Sequence, residues 1–292
     1  MSRDEVPQAT IVIGTRNRPS LLRATVDSIV AGDALPAEIV VVDQSDTPLS
    51  SLAELSREGC SIRVLPASGP GLSRARNEGA AAAGHELVVF VDDDMLVDRA
   101  WFRTFARALG EAGPRTVVTG AVEAAPGESW RSFFPATQSH PPGAVFEGRL
   151  DRDVLAGGHM GIARSALEEI GGFDERLGPG APFPAAEDND LGFRLLEAGY
   201  RIAYVADAVV YHRAWRPGWR YPVVRFAYGC GKGGFYAKHP ALLRPRAVHD
   251  VAQRARRFPR QVLRRPALAA GDLAYVAGII VGWTRWWLRE RG

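Results

Sequence analysis

The sequence predicts an α/β fold built on a doubly wound, mostly parallel central sheet with helices on both faces, followed by a helical, basic C-terminal extension. Three observations carry that expectation. Short β-branched apolar runs alternate with helix-length segments from residue 9 to 122, without an internal repeat. One of those runs, Leu87 to Val91, ends in three consecutive carboxylates, Asp92, Asp93 and Asp94. From Arg213 onward the chain carries 17 Lys or Arg against 3 Asp or Glu, whereas upstream it carries 19 against 30.

At 292 residues and a net charge of +3, the chain is long enough to bury a large core. Its apolar and charged fractions are those of a folded soluble protein. The charge asymmetry divides it into residues 1–212, the sheet domain, and 213–292, the basic extension. Cys60 and Cys230 stand far apart without metal-binding spacing, which argues against a disulfide framework and a zinc site and suits a reducing compartment. The start Met-Ser-Arg-Asp-Glu-Val-Pro-Gln has no apolar run after its basic residue, so a cytoplasmic location is expected.

Ala9 to Gly14 reads as the first strand, and Leu21 to Ala31 as the helix after it. The loop between them, with Thr15, Arg16, Asn17 and Arg18, precedes a helix N-terminus and suits an anion or nucleotide. Ile39 to Val42 is a second buried strand tipped by Asp43, where a carboxylate commonly holds a nucleoside but where Asp, Ser and Pro also favour a plain turn. Ile62 to Leu65 leads to a Gly-rich loop and a helix bearing Arg74, Arg76 and Asn77 near its start. Arginines there oppose the helix dipole, which points to an anionic ligand for Arg74 and Arg76.

Leu87 to Val91 is apolar enough to be buried on both faces. Three adjacent carboxylates at the end of such a strand repel one another and resist desolvation. A divalent metal is the natural partner, and strand ends are where α/β sheets bind ligands. A helix from about Ala100 to Ala112 and a strand around Val117 to Val122 follow. Residues 124–149 read as a long irregular excursion at a substrate entrance.

Val154 to Ala163 is strand-like but broken by glycine, a sign of close backbone or ligand approach. After a short helix from Arg164 to Ile170, the Pro- and Gly-rich stretch Leu177 to Ala186 has a hinge-and-lid composition. It delivers Glu187 and Asp188 at the start of an amphipathic helix, where acids also serve simply to complement the dipole. The strand Ile202 to Val205 and the run Ala208 to His212 then bring an imidazole to the end of an apolar segment.

Beyond residue 213, Leu268 to Trp283 is apolar except at Gly271 and Asp272, and too short for a clear membrane span. Trp283, Trp286 and Trp287 among arginines favour in-plane attachment to the anionic inner face of the plasma membrane. Packing of this helix on the body or in a homodimer is the alternative. Nucleic acid is not an expected partner, because no recognition motif accompanies the charge.

Taken in order, Ile-Val-Ile-Gly-Thr-Arg-Asn-Arg, Val-Val-Val-Asp, Gly-Leu-Ser-Arg-Ala-Arg-Asn-Glu-Gly, Phe-Val-Asp-Asp-Asp, Gly-Gly-Phe-Asp-Glu, and Glu-Asp-Asn-Asp-Leu-Gly-Phe-Arg followed by Tyr-His resemble family 2 glycosyltransferases. The resemblance runs from about residue 9 to 240. It implies a Rossmann-like GT-A fold and inverting, metal-dependent transfer of a sugar from a nucleoside-diphosphate sugar to a glycan or lipid-linked acceptor. By that resemblance Thr15 and Asp43 hold the nucleoside with Arg16 and Arg18 nearby, Arg74 or Arg76 meets base or diphosphate, and Asp92 and Asp93 belong to the donor site. Asp94 and His212 match metal ligands for Mn2+ or Mg2+. Asp188 matches the catalytic base, with Glu187 as the neighbour that tunes it or orients the acceptor. Gly14 stands where many relatives carry proline, and Gln44 where a second Asp often follows the first.

Two other functions share parts of this inventory. A nucleotidyltransferase also uses strand-end carboxylates and a metal, but more often shows a Lys-bearing phosphate loop near its first strand, and no lysine precedes Lys232 here. A catalytically silent, membrane-associated binding subunit would not need Asp94, Asp188 and His212 together.

Overall fold

The computed structural model describes residues 6–49, 52–126, 132–134 and 137–290. In chain order the elements are β1 (Ala9–Thr15), α1 (Pro19–Val30), β2 (Glu38–Asp43), β3 (Ser61–Pro66), α2 (Leu72–Ala82), β4 (Leu87–Val91), β5 (Met95–Val97), α3 (Trp101–Glu111) and β6 (Thr116–Ala124). There follow β7 (Ser132–Phe133), β8 (Val145–Phe146), β9 (His159–Ala163), α4 (Arg164–Glu169), α5 (Glu187–Glu197), β10 (Arg201–His212), β11 (Arg216–Pro217), α6 (Tyr221–Lys238), α7 (Pro240–Arg264) and α8 (Pro266–Glu290).

The main sheet runs β3-β2-β1-β4-β9-β6-β10-β5, with β8 also paired to β10. The pairs β3–β2, β2–β1, β1–β4 and β6–β10 are parallel, while β9 is antiparallel to both β4 and β6. Alternation along each strand sends side chains to opposite faces. Ile11 and Ile13 therefore join α1 and α3 residues such as Val26, Trp101 and Phe105 in one core. Val12 faces the other, with Phe90, Met160, Leu167 of α4 and Leu195 of α5. Helices thus cover both faces, as the buried, β-branched strands require.

Several elements differ from their sequence reading. In Val154 to Ala163 only β9 is paired, because Gly157 and Gly158 are taken up in a tight approach to the cleft: a Cβ on Gly158 would lie 2.1 Å from Asp92 Oδ2. The two apolar runs before His212 are one strand, β10, with an irregular register between Val205 and Val209. The stretch expected to act as a lid is anchored instead: Leu177 and Phe183 are buried with Ala237 and Trp286, and the Phe183 and Trp286 rings lie 5.2 Å apart. Of the excursion 124–149, residues 127–131 and 135–136 lie outside the described residues. Within the rest, Phe134 meets His212 edge-on at 5.4 Å, and Gln138 pairs with Val122.

In the extension, Tyr221 meets Gly271 at one end and Gly233 meets Ile279 and Trp283 at the other, so α6 and α8 run in parallel and α7 returns the chain between them. Their backbones touch, since a Cβ on Gly233 would sit 2.2 Å from Ile279 O and 2.7 Å from Trp283 N. Gly233→Val must push the helices apart and is expected to cost about 1–3 kcal/mol, read as a lower thermal or urea midpoint. Ala277→Val, on the exposed side of α8, should stay within about 0.5 kcal/mol of the parent.

Candidate functional site

A cleft of about 690 Å³ opens at the carboxyl ends of β1, β4 and β10. Its lining brings together Thr15, Arg16, Arg18, Asp92, Asp93, Asp94, Glu187, Asp188 and His212. Register explains much of this convergence. In the antiparallel pair β5–β10, Met95 lies opposite His212, which sets the preceding Asp94 beside the imidazole. Asp94 Oδ1 and His212 Nε2 are 3.1 Å apart, and Asp94 O accepts the Arg213 N–H at 2.9 Å.

Each member of the acid triplet is paired with an arginine, Asp92 with Arg76 and Asp93 and Asp94 both with Arg18. Asp92 Oδ1 accepts from Arg76 Nη2 at 2.7 Å. Asp93 is fully buried, accepts from Thr15 Oγ1 at 2.6 Å, and pairs with Arg18 Nη2 at 2.5 Å. Burial still pushes its carboxyl up to about 6, against Arg18 and Thr15. Asp94 takes Arg18 Nη1 at 2.9 Å on its second oxygen. Burial works to raise Asp94 as well, but the hydrogen bond and charge of His212, with Arg18 and Arg216, hold it below the usual range.

Glu187 and Asp188 open α5, directly after Ala186, a non-glycine residue at φ 73°. Glu187 is buried and receives Arg76 Nη1 at 3.2 Å, so Arg76 bridges the triplet and the acidic pair. Asp188 is half-buried at the cleft wall; Oδ1 accepts its neighbour's Asn189 N–H at 2.8 Å and Oδ2 the Gly157 N–H at 3.4 Å. Burial raises both carboxyls: Glu187 also feels Asp188 and is opposed by Arg76, and Asp188 also feels Asp153 and is opposed by Arg76 and Lys232. A carboxylate moved toward neutral pH in a cleft is suited to take a proton from a hydroxyl.

Other sequence-predicted residues stand differently. Asp43 accepts the Ser45 and Leu49 N–H groups at 2.9 and 2.8 Å, capping its own turn, and is not part of the cleft lining. Arg16 reaches the cleft but is exposed and pairs with Asp46 at 3.5 Å. Arg74 lies on the surface against Glu175 at 2.9 Å, so of the two candidate arginines Arg76 is the one joined to the cleft acids. The sequence reading missed Asp153, Arg216, Tyr228 and Lys232, which also line the cleft. A signal existed for Lys232: Lys232 and Lys238 are the only lysines in the sequence.

Among the described residues, no three His, Cys, Asp or Glu side chains form a group that could hold a metal ion. The donor types present, the Asp94 carboxylate and the His212 imidazole lining the cleft, suit a divalent cation that takes its other ligands from outside the protein; here the two side chains bond to each other. The imidazole Nδ1 is buried without a hydrogen-bond partner, so Phe134 packing rather than a second hydrogen bond orients the ring.

Residues 7–221 match the family described as "Glycosyltransferase like family 2". The chain belongs to glycosyltransferase family 2. Among curated relatives of this family 2 member, the pre-mycofactocin glycosyltransferase of Mycobacterium tuberculosis is 30% identical over 256 residues, covering 83% of this chain and 50% of that protein. The chain therefore spans about half the length of that relative. The N-acetylglucosaminyl-diphospho-decaprenol L-rhamnosyltransferase of the same organism is 28% identical over 210 residues, covering 61% of this chain and 66% of its own. In structure, the mannosyltransferase PcManGT of Pyrobaculum calidifontis, solved with GDP-Man and Mn2+, matches with a TM-score of 0.61 at 18% identity, covering 96% and 88% of the two chains. S. aureus TarS 1-349 in complex with UDP-GlcNAc matches at 0.58 and 15%, covering 98% and 92%. These similarities establish the GT-A-like fold.

The different settings of the two arginines in this family 2 member have measurable consequences. Arg76→Met leaves Asp92 and buried Glu187 without their counterion and should cost about 3–5 kcal/mol of unfolding free energy. Arg74→Met removes an exposed pair and should cost no more than about 1 kcal/mol; urea denaturation of both variants checks the ordering.

Proposed function

We propose that this family 2 member transfers a sugar from a nucleoside-diphosphate sugar to a hydroxyl of a glycan or lipid-linked acceptor, with inversion at the anomeric carbon and dependence on Mn2+ or Mg2+. The observation that carries this reading is the convergence on one cleft of Asp94 with His212 and Asp188, both of which lie more than ninety positions after Asp94 in the sequence. The relatives support a role in cell-envelope polysaccharide or glycolipid synthesis, since one is named for a diphospho-decaprenol acceptor and another, from Myxococcus xanthus, as an O-antigen biosynthesis protein.

In this mechanism Asp94 and His212 would be the side chains that hold the cation. A divalent cation held there would supply Lewis-acid neutralisation of the charge that develops on the leaving diphosphate. Arg18 and Arg216, cationic and in the same cleft, face the same anionic group. Asp188 accepts the acceptor hydroxyl proton as the new C1–O bond forms and the bond from C1 to the phosphate oxygen breaks. One base and one displacement invert the anomeric centre. Glu187 stays paired with Arg76 and shapes the charge around its neighbour.

The same reading places the enzyme as a peripheral protein on an anionic membrane surface. Helix α8 is long and apolar enough to cross a membrane by length and composition. Yet Asp272 near its start faces Arg225 and Arg254, and Tyr275, Ile279 and Trp286 are buried. Its outer side presents Leu273, Ile280, Val281, Trp287 and Leu288, while α7 exposes Arg256, Arg257, Arg260 and Arg264. An apolar helix face beside a row of arginines is suited to lying in the plane of an anionic leaflet.

Asp188→Asn should keep metal-dependent donor binding and lose transfer by roughly 10²–10⁴-fold, whereas Asp94→Ala should weaken both. Assays across UDP, GDP and dTDP sugars with Mn2+, with NMR of the product anomer, read this out; pyrophosphate as product would instead indicate nucleotidyl transfer. For the membrane arm, cosedimentation with vesicles should rise with the fraction of anionic lipid, fall with salt and drop sharply for Ile280→Glu. Equal recovery on neutral and anionic vesicles would remove it.

A further inference from the structure

Both lysines of the chain lie on α6, and both pair with carboxylates that flank the catalytic pair of α5. Lys232 Nζ is 2.5 Å from Asp153 Oδ2, and the other oxygen of Asp153 takes Arg246 Nη2 at 2.6 Å. Lys238 Nζ is 2.8 Å from Asp190 Oδ1 and 2.7 Å from Asp174 Oδ2. Between the lysines the backbone of α6 presses on the segment that delivers Glu187 and Asp188. A Cβ on Gly231 would lie 2.4 Å from Ala185 O, and one on Gly234 2.7 Å from the Phe183 ring. Ala186, left-handed at φ 73°, is buried in a cluster with Phe193, Phe235, Tyr236 and Ile279. An alanine keeps that conformation only where its surroundings impose it, and here α5, α6 and α8 supply them.

We infer that Lys232 is a positioning residue for Asp188: paired with Asp153 on the cleft wall, it brings from the C-terminal helices the positive charge that offsets the carboxylates crowded around the base. The inference rests on the reading of Asp188 as the base. Asp188 shares the cleft wall with Glu187 of its own helix, Asp153 from the loop before β9 and Lys232 from α6; Arg76 of α2 meets it over Gly157, and Arg246 of α7 lines the adjoining hollow with Asp188 and Asp153. Asp188 also takes the Asn189 and Gly157 N–H groups, and Tyr228 of α6 lies within its field. Of these, Lys232, Arg76 and Arg246 are the cations, and Arg246 is engaged by the far oxygen of Asp153. Arg76 is already divided between Asp92 and Glu187. Loss of the Lys232 charge makes the proton on Asp188 harder to remove, so Asp188 titrates at higher pH.

Carboxyl 13C NMR of the full chain labelled at aspartate, with the Asp188 signal assigned by its absence in Asp188→Asn, measures that titration without any transfer assay. Lys232→Met should move the Asp188 midpoint up by about one pH unit, and Lys232→Arg should restore it. Asp153→Asn, which removes a negative charge and frees Lys232, should move it down, and serves if Lys232→Met does not fold. Midpoints that stay put in every folded variant, or that move equally in Lys232→Met and Lys232→Arg, overturn the inference. Full transfer by Asp188→Asn would strike the base reading instead, and leaves the NMR result to be judged by itself.

Discussion

Repulsion among carboxylates is the constraint on which the site depends. Asp92, Asp93, Asp94, Glu187 and Asp188 share one cleft, and Asp93, Asp94 and Glu187 are buried there. Like charges in a partly desolvated site oppose folding strongly unless cations are interleaved. The chain supplies those cations from separate elements: Arg18 from the loop after β1, Arg76 from α2, and Lys232 from α6. Two of them bridge, Arg18 between Asp93 and Asp94 and Arg76 between Asp92 and Glu187. The same charges that, on the proposed function, would serve a diphosphate and a hydroxyl therefore also tie together the sheet, α2, α5 and the C-terminal helices.

What could be read from the sequence follows from how local each signal is. The acid triplet was legible because a buried strand and its polar tip are adjacent in the chain. So was the helix opening with Glu187 and Asp188. The partnership of Asp94 with His212 was available from the family resemblance, but its geometry depends on β5, a three-residue strand pairing with residues more than a hundred positions away. No periodicity marks so short an element. Arg74 and Arg76 were inseparable as letters at a helix start. On the helix they point to different sides, and Arg76 shares the buried side with Gly79 and Ala80, at the i+3 and i+4 positions that small residues reserve for close packing. Asp43 carried two signals at once, nucleoside and turn, and its carboxylate is engaged by the turn.

The Pro- and Gly-rich stretch before α5 shows where composition misleads. Proline and glycine suggest a mobile lid, but mobility is set by what the intervening side chains bury. Phe183 is held by Trp286 and by the bare backbone of Gly234, so the segment is pinned by residues fifty to a hundred positions downstream. Pinning it fixes Ala186 in its left-handed turn, and that turn sets the first residues of α5 at the cleft.

The C-terminal extension carries two kinds of signal on the same helices, and this explains why its sequence was ambiguous. Helix α8 reads as apolar almost all round because one side packs on α6 and the opposite side is exposed. A helix of that kind satisfies a membrane criterion and a core criterion at once. The glycines separate the two sides: Gly271, Gly278 and Gly282 lie against Tyr221, Phe226 and Cys230 of α6, leaving Leu273, Ile280 and Trp287 outward. Because α6 carries Lys232 into the cleft and presses on the segment before Glu187, the outward face of α8 is only one helix away from Glu187 and Asp188. Backbone contact leaves α6 and α8 little freedom to shift independently. On the proposed function, a membrane surface that engages α8 would hold the cleft at a fixed height and tilt, and an acceptor anchored in that surface would meet Asp188 from one direction.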